Sequence, residues 1–383
     1  MSRLAAVLAG LAVAYAALYY TIQLPDAWRA GDFAALWSYG QVLREQGAAT
    51  LYDPAGLQRA QTALGMAADE RNPFPYPPGI LPLLAPLGLL SFGWAYGTWI
   101  VLGLGLYIWA CPGRLRWVAL IAPGTTIEVI AGQTGLLSGA LFLGGLRLVS
   151  TRPWLAGALF GVLTFKPQLG ILVPVALIAM RAWRAVAGAV LSAGALTAVA
   201  LLLYGADLGS RWVGMLPAYA TDFAQRSVRY GMMPTVTANA AMLNAPIALG
   251  HAAQGVAILV AGAAAFTAFR RRPPGAPEWL LLAAATFLAT PHAFVYDMPL
   301  LTGAALAYGS VDGCRRWVMP AMLALPAAML WSGPVPVSGA MLAVVVAVLW
   351  LDGRRPRRFS TVSSSTRAAN TATAATRIGS SSK

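Results

Sequence analysis

The chain has 383 residues, of which 58% are hydrophobic and only 10% are charged, and its formal net charge is +14. Soluble domains carry about 25% charged residues, so this composition excludes a water-soluble globular protein. The positive charge falls in short arginine clusters beside apolar runs, which indicates the orientation of a membrane protein and argues against nucleic-acid binding.

The first predicted element is an uncharged apolar span over residues 4–22. It has no clear small-residue cleavage site, so we expect a retained helix rather than a signal peptide. Further apolar runs predict an all-α, polytopic transmembrane helical bundle of about 10–13 spans. These runs cover residues 79–111, 118–146, 154–180, 185–204, 246–269, 279–290, 298–311, 317–331 and 335–351.

Two hydrophilic stretches are long enough to carry chemistry, at residues 23–78 and 205–245. If the arginine clusters after the spans are cytoplasmic, both loops and the turn at residues 291–297 share the extracytoplasmic face. We expect residues 1–351 to form one membrane domain. The Ser/Thr-rich basic tail at residues 352–383 has the composition of a disordered segment.

The first loop opens with an amphipathic pattern. Phe33, Leu36 and Trp37 recur at helical spacing and predict a helix that lies on the membrane face, with Asp32 at its start. Asp32 is a candidate helix cap, since Asp is favoured there, and also a candidate catalytic carboxylate. Asp53 lies in a Tyr-Asp-Pro sequence that favours a turn.

Polar residues inside apolar runs are the next signal, because an ionisable group at membrane depth is costly and often functional. Lys166 precedes a proline, so a cation and free carbonyl groups occur together. It is either a phosphate ligand or a lysine that reaches the interface. Glu128 and Gln133 are candidates for a site or for helix–helix contact.

The turn at residues 291–297 adds two more candidates. His292 follows a proline and could donate to a phosphate or carry charge there, or simply cap a helix at the interface. Asp297 closes the same turn. In the second loop, Arg226 and Arg229 are three residues apart and are candidates to hold a phosphate together, although solvated surface is the default for both.

The order of these motifs resembles the membrane glycosyltransferases of the GT-C superfamily. It is most similar to glycosyltransferase family 87, the polyprenyl-phosphate-mannose-dependent mannosyltransferases. The motifs are Gly31-Asp-Phe-Ala-Ala-Leu-Trp37, Leu51-Tyr-Asp-Pro54, Tyr76-Pro-Pro78, Gly132-Gln133, Gly161-Val-Leu-Thr-Phe-Lys-Pro-Gln168 and Pro291-His292 with Tyr296-Asp297.

The resemblance implies an inverting transfer of a hexose, mannose above all, from a polyprenyl-phosphate donor to a lipid or glycan acceptor at the cell membrane. Asp32 would be the general base, and no metal or cofactor is expected. Cations would hold the donor phosphate: Lys166, His292, Arg226 and Arg229. The candidate substrate-binding residues are Tyr76, Gln133, Gln168, Asp297 and Asp53.

Two other functions compete with this interpretation. A transporter or lipid flippase could use Lys166, Glu128 and Asp297 as a charge relay, although the sequence shows no inverted repeat. A non-catalytic scaffold is the third possibility. The grouping of ionisable residues on one face of the predicted bundle argues against a scaffold.

Overall fold

The protein is described here from a computed structural model, which covers residues 32–67, 72–224, 227–271, 274–332 and 336–354. The described residues are helical, with no β-strand among them, as the sequence predicts. The helices are α1 (Asp32–Glu45), α2 (Ala48–Leu51), α3 (Pro54–Ala63), α4 (Leu81–Leu84), α5 (Phe92–Ala110), α6 (Pro123–Ala131), α7 (Gly135–Leu148), α8 (Pro153–Val162), α9 (Val173–Ala179), α10 (Trp183–Tyr204), α11 (Leu208–Ala224), α12 (Val236–Met242), α13 (Ile247–Arg271), α14 (Ala276–Ala289), α15 (Pro299–Gly309), α16 (Val318–Ser332) and α17 (Val337–Arg354).

Four of these helices, α5, α10, α13 and α17, are long and apolar enough to cross a membrane. Six shorter apolar helical segments lie among them in the described residues. Large apolar side chains on these helices are exposed, with Leu202 at 85% and Ile247 at 79%. A water-soluble protein rarely exposes so much apolar surface, so these faces suit contact with lipid. The predicted span over residues 4–22 lies outside the described residues.

Three apolar runs are broken, and the breaks position the site. The run at residues 79–111 divides at Ser91, where the sequence predicts a hinge, into a short helical segment and α5. The run at residues 154–180 divides at Lys166-Pro167, where the proline cannot continue the helix. The run at residues 118–146 divides at Gly132, which adopts a left-handed conformation (φ 66°) and ends α6.

Helix α1 begins at Asp32 as predicted. The prediction that this helix lies on the membrane face is wrong. Nearly all of its side chains from Phe33 to Leu43 are buried. Its middle packs closely on the segment after α4, where a Cβ on Gly40 would approach the backbone nitrogen of Gly88 to 2.6 Å. The helix is therefore an internal part of the bundle. Its burial fixes the position of Asp32 at its first turn.

Four non-helical segments meet at one end of the bundle. They are the extended stretch at residues 72–77, the turn at residues 132–134 between α6 and α7, the break at Lys166, and the turn at residues 290–298 between α14 and α15. Helix α11 lies beside them, since the Trp212 indole donates to the Pro75 carbonyl at 3.0 Å. Irregular backbone inside a membrane bundle is tolerated where it lines a cavity, which directs attention to this end.

The described residues up to Trp350 belong to one compact unit. Of the second unit, which begins at Leu351, the structure describes only the last turn of α17. Most of the predicted tail, residues 355–383, lies outside the described residues. The boundary predicted at residue 351 stays a prediction.

Candidate active site

A cavity of about 430 Å³ lies at the end of the bundle where the four non-helical segments meet. Its walls come from α1, the stretch at residues 72–77, the two helix breaks, α11 and the turn after α14. Seven residues that the sequence singled out line it together: Asp32, Tyr76, Gln133, Lys166, Gln168, His292 and Asp297. Residues far apart in the sequence thus share one chamber.

The charged centre of the cavity is an ion pair between Lys166 and Asp297. The Lys166 Nζ lies 2.5 Å from Asp297 Oδ1, and the two side chains are only 6% and 0% exposed. Breaking such a buried pair is costly, because the remaining charge has no solvent to compensate it. The sequence identified both residues but gave no sign that they pair.

Neighbouring groups use more of the hydrogen-bonding capacity of Asp297 than of Lys166. Asp297 Oδ2 accepts the backbone N–H of Phe294 at 3.0 Å, so both carboxylate oxygens are engaged. Lys166 also donates to Thr134 Oγ1 at 3.1 Å, and its ammonium lies 5.2 Å from the centre of the Tyr296 ring. An ammonium has three N–H donors, and two have hydrogen-bond partners among the described residues. The third has no hydrogen-bond partner among the described residues, and Lys166 lines the cavity.

The turn at residues 132–134 supplies polar groups to the same cavity. The left-handed Gly132 redirects the chain, and a Cβ there would approach Phe33 Cβ to 2.6 Å. The Gln133 carbonyl accepts the Trp99 indole N–H at 2.8 Å, while its side-chain oxygen accepts the Tyr76 hydroxyl at 3.1 Å. These bonds hold the turn so that Gln133 lines the cavity, while the buried Thr134 accepts a hydrogen bond from Lys166.

Glu128 stabilises this turn through hydrogen bonds. Its Oε1 accepts the backbone N–H of Gly135 at 2.7 Å and of Leu136 at 3.4 Å, across the turn from its own helix. Its backbone carbonyl accepts the N–H of Gly132. The side chain is fully buried, and its Oε2 has no hydrogen-bond partner among the described residues. Glu128 therefore joins both sides of the turn without lining the cavity itself.

Tyr76 is a hydrogen-bond donor in this arrangement. Burial, followed by the nearby charge of Asp297, raises the pKa of the Tyr76 phenol well above its usual range. A negative charge on Asp32 acts in the same direction. The phenol therefore stays protonated and donates to Gln133.

His292 lies at the edge of the cavity beside α11. Its Nε2 is 3.3 Å from the Tyr219 hydroxyl, and its ring meets that of Phe294 edge-on with the centroids 5.3 Å apart. Asp32 lines the same cavity from the first turn of α1 and is partly exposed. A carboxylate, an imidazole and an ammonium therefore surround one space large enough for a sugar phosphate.

Three predicted site residues do not join this group in the described structure. Asp53 does not line this cavity. It is the N-cap of α3, where its Oδ1 accepts the N–H of Ala55 at 3.1 Å, and its side chain is 56% exposed. Arg226 lies outside the described residues. The backbone of Arg229 belongs to a short 3-10 helix, but its side chain is not described.

Comparison with known proteins identifies the family. The sequence profile of glycosyltransferase family 87 matches residues 74–291, more than half of the chain. The chain belongs to glycosyltransferase family 87. No curated protein and no solved structure matches it.

The matched range of this family 87 glycosyltransferase covers Tyr76, Gln133, Lys166 and Gln168. His292 and Asp297 lie just after its end and Asp32 lies well before its start, and the fold brings all three to the cavity. Sequence reasoning missed several other lining or supporting residues: Asn72, Thr134, Trp212, Tyr219 and Tyr296. Thr134 directly follows the Gly132-Gln133 motif and Tyr296 directly precedes Asp297. The motifs could therefore have identified both residues. Tyr219 and Trp212 carried no local signal.

Proposed function

We propose that this glycosyltransferase moves a hexose, mannose above all, from a polyprenyl-phosphate sugar to a lipid or glycan acceptor with inversion. The reaction takes place at the extracytoplasmic face of the cell membrane. The observation that carries the proposal is the buried Lys166, which keeps an N–H donor for a ligand in a cavity that also holds a carboxylate on a separate element. Such a site suits a phosphate beside an incoming hydroxyl.

The donor phosphate lies against Lys166 in this proposal. As the sugar leaves, the bond between its anomeric carbon and the phosphate oxygen breaks, and the phosphate keeps the electron pair. A cation that is already oriented at the leaving oxygen stabilises that developing charge without reorganisation. His292 at the rim is a second donor to the phosphate, and Arg226 and Arg229 remain candidates on the segment after α11.

Asp32 accepts the proton of the acceptor hydroxyl as its oxygen forms the new bond to the anomeric carbon. Asp297 is a poor choice for that role, because both of its oxygens are already engaged by Lys166 and Phe294. Asp32 lines the same cavity from a separate element, α1. In this proposal the acceptor attacks from the Asp32 side and the phosphate departs toward Lys166 on the other side of the sugar, as inversion requires.

Tyr76, Gln133 and Gln168 bind sugar hydroxyl groups in the same proposal. They bring a phenol and two carboxamides to the cavity wall, and such groups both donate and accept hydrogen bonds. Asp53 contributes no cavity contact and is proposed only as a helix cap. The leaving group is a phosphate that carries its own charge, so the reaction needs no second carboxylic acid to protonate it, in contrast to glycoside hydrolysis.

The test is a transfer assay with the purified full-length chain in lipid nanodiscs. Radiolabelled polyprenyl-phosphate mannose, polyprenyl-phosphate glucose and a nucleotide-linked mannose are offered separately with a membrane lipid extract. We expect label to reach a product from a polyprenyl-phosphate sugar, with the opposite anomeric configuration. Transfer from the nucleotide sugar alone, or retention of configuration, would contradict the proposal.

A further inference from the structure

A second cavity of about 480 Å³ lies directly beside the first, between α3 and α11. The two cavities share three wall residues, Asn72, Pro73 and Tyr219. The rest of the second cavity is lined by apolar side chains and by two glutamines of α3, Gln58 and Gln61. A ligand in one cavity is therefore separated from a ligand in the other by a single layer of protein.

The shared wall is a rigid piece of extended chain. The Tyr39 hydroxyl donates to the Pro73 carbonyl at 2.7 Å, and the Trp212 indole donates to the Pro75 carbonyl at 3.0 Å. Gln61 Nε2 donates to the Asn72 carbonyl at 3.0 Å. The prolines add their own restriction on the backbone. Hydrogen bonds from three separate helices therefore anchor the edge between the two cavities.

One polar group in this wall is left unsatisfied. The side-chain Nδ2 of Asn72 is buried and has no hydrogen-bond partner among the described residues. Leaving a buried donor unpaired costs about 1–3 kcal/mol, so such groups usually have a partner in the working state. Because Asn72 lines both cavities, a ligand oxygen at their junction would supply that partner.

The second cavity differs from the first in charge. None of the described residues that line it is charged, whereas the first holds Lys166, Asp297 and Asp32. Leu57, Met215 and Ala218 make much of its surface apolar. A phosphate would find no cation here, but a neutral sugar on an apolar aglycone would find carboxamides at one edge and apolar contact over the remainder.

We infer that the second cavity is the acceptor subsite, an inference that rests on the proposed function. Its occupant is a neutral polyhydroxyl group carried on an apolar aglycone. The aglycone packs against α3 and α11, and a hydroxyl of the polar part accepts a hydrogen bond from Asn72. The reacting hydroxyl passes the edge formed by Pro73 and Tyr219 and reaches the Asp32 side of the first cavity.

The first test fills the second cavity with a large side chain. Ala218→Trp places an indole at the wall of the second cavity. Ala220→Trp makes the same change two residues along α11; both alanines are exposed, but Ala220 lines neither cavity. Transfer from polyprenyl-phosphate mannose to octyl mannoside is measured with each purified full-length variant, together with the Kd for the donor. We expect Ala218→Trp to raise the acceptor KM at least tenfold, while its donor Kd and the Ala220→Trp control stay near wild type.

The second test removes the unpaired donor and does not depend on Ala218→Trp folding. Asn72→Leu keeps the approximate size of the side chain and removes the amide donor without adding a charge. We expect the KM for octyl mannoside to rise about tenfold, the effect of one lost hydrogen bond, and the donor Kd to rise by less. Free mannose and mannose 6-phosphate are compared as acceptors, and we expect both to be poorer than octyl mannoside.

The outcomes separate this inference from the proposed function. If the wild-type protein binds no polyprenyl-phosphate sugar, the proposed function fails and the acceptor assignment fails with it. If the wild type transfers normally but Ala218→Trp and Asn72→Leu keep the wild-type acceptor KM, only the acceptor subsite is overturned. Equal use of mannose 6-phosphate and octyl mannoside as acceptors would also contradict the inference, because an uncharged and mostly apolar cavity should favour octyl mannoside.

Discussion

Both ends of the bundle carry cationic side chains, but the two sets differ in burial and in ion pairing. At the active-site end, Lys166 is buried and pairs with Asp297 at 2.5 Å. At the other end, Arg181, Arg270 and Arg271 surround a cavity of about 560 Å³ and are exposed. No described carboxylate forms an ion pair with any of the three. Helix α7 joins the two regions, and its 14 residues span about 20 Å.

Under the proposed function, this difference separates charge that orients the protein in the membrane from charge that takes part in the chemistry. Exposed arginines at span ends extend to the interface at little cost and set the topology of a membrane protein. A buried ion pair costs several kcal/mol in desolvation for each charge and adds little net stability. Among the described residues, the one buried ion pair lies at the cavity where the four non-helical segments meet. The following predictions test this contrast, from the largest effect to the smallest.

The largest effect is expected for Asp32→Asn. Asparagine preserves the size of the side chain and caps a helix about as well as aspartate, but it cannot accept a proton from a hydroxyl at neutral pH. We expect the transfer rate to fall by roughly 10²–10⁴-fold, the usual contribution of a general base. Donor Kd and thermal stability, measured on the same preparation, should barely change. A folded, donor-bound variant with full activity would exclude Asp32 as the base.

The ion pair itself is tested by Lys166→Met. This change leaves the Asp297 carboxylate buried without its partner, which typically destabilises a protein by about 3–5 kcal/mol. We expect a lower Tm in detergent and loss of donor binding. The matched control is the double variant Lys166→Met/Asp297→Asn, which removes both charges. It should recover most of the Tm but not the donor binding. Recovery of both would show that the pair has only a structural role.

Glu128 is expected to act as a positioning residue. Glu128→Ala removes the acceptor for the Gly135 and Leu136 N–H groups, so the turn that carries Gln133 and Thr134 loses its support. We expect kcat to fall about tenfold, as for one lost buried hydrogen bond. Glu128→Gln keeps a carbonyl oxygen in the same place and should restore most of the rate. Equal loss in both variants would indicate that the negative charge of Glu128 matters instead.

The smallest effect is expected at the arginine end. Arg270→Gln/Arg271→Gln removes two exposed charges that have no ion-pair partner in the described structure. Exposed charges contribute little to stability, so we expect transfer activity and Tm to stay within about twofold and a few degrees of wild type. A loss of donor binding comparable to that of Lys166→Met would contradict the contrast between the two ends.

Much of the fold follows from local sequence signals. The proline after Lys166 and the Ser91 break end helices for reasons that act within a few residues, and both could be predicted. The break at Gly132 could not, because a single glycine in an apolar run does not show that it adopts a left-handed conformation. The burial of α1 was also missed, since apolar spacing cannot distinguish contact with lipid from contact with protein.

The candidate site was predicted as a set of residues but not as an arrangement. Lys166 and Asp297 are 131 residues apart, and only the packing of the helix breaks brings them together. Asp53 looked like a site residue because it lies in a motif, but its motif makes a helix cap. The second cavity gave no sequence signal at all, because its lining is neutral and mostly apolar.

The most direct test of the account is to locate the bound donor. A polyprenyl-phosphate mannose with a photoreactive diazirine on the sugar is bound to the wild-type protein in nanodiscs, irradiated, and the labelled peptides are identified by mass spectrometry. Unlabelled donor serves as competitor. The account predicts competed labelling in residues 72–78, 165–168 and 291–297. Competed labelling around Arg181 or Arg270 instead, with none near Lys166, would contradict it.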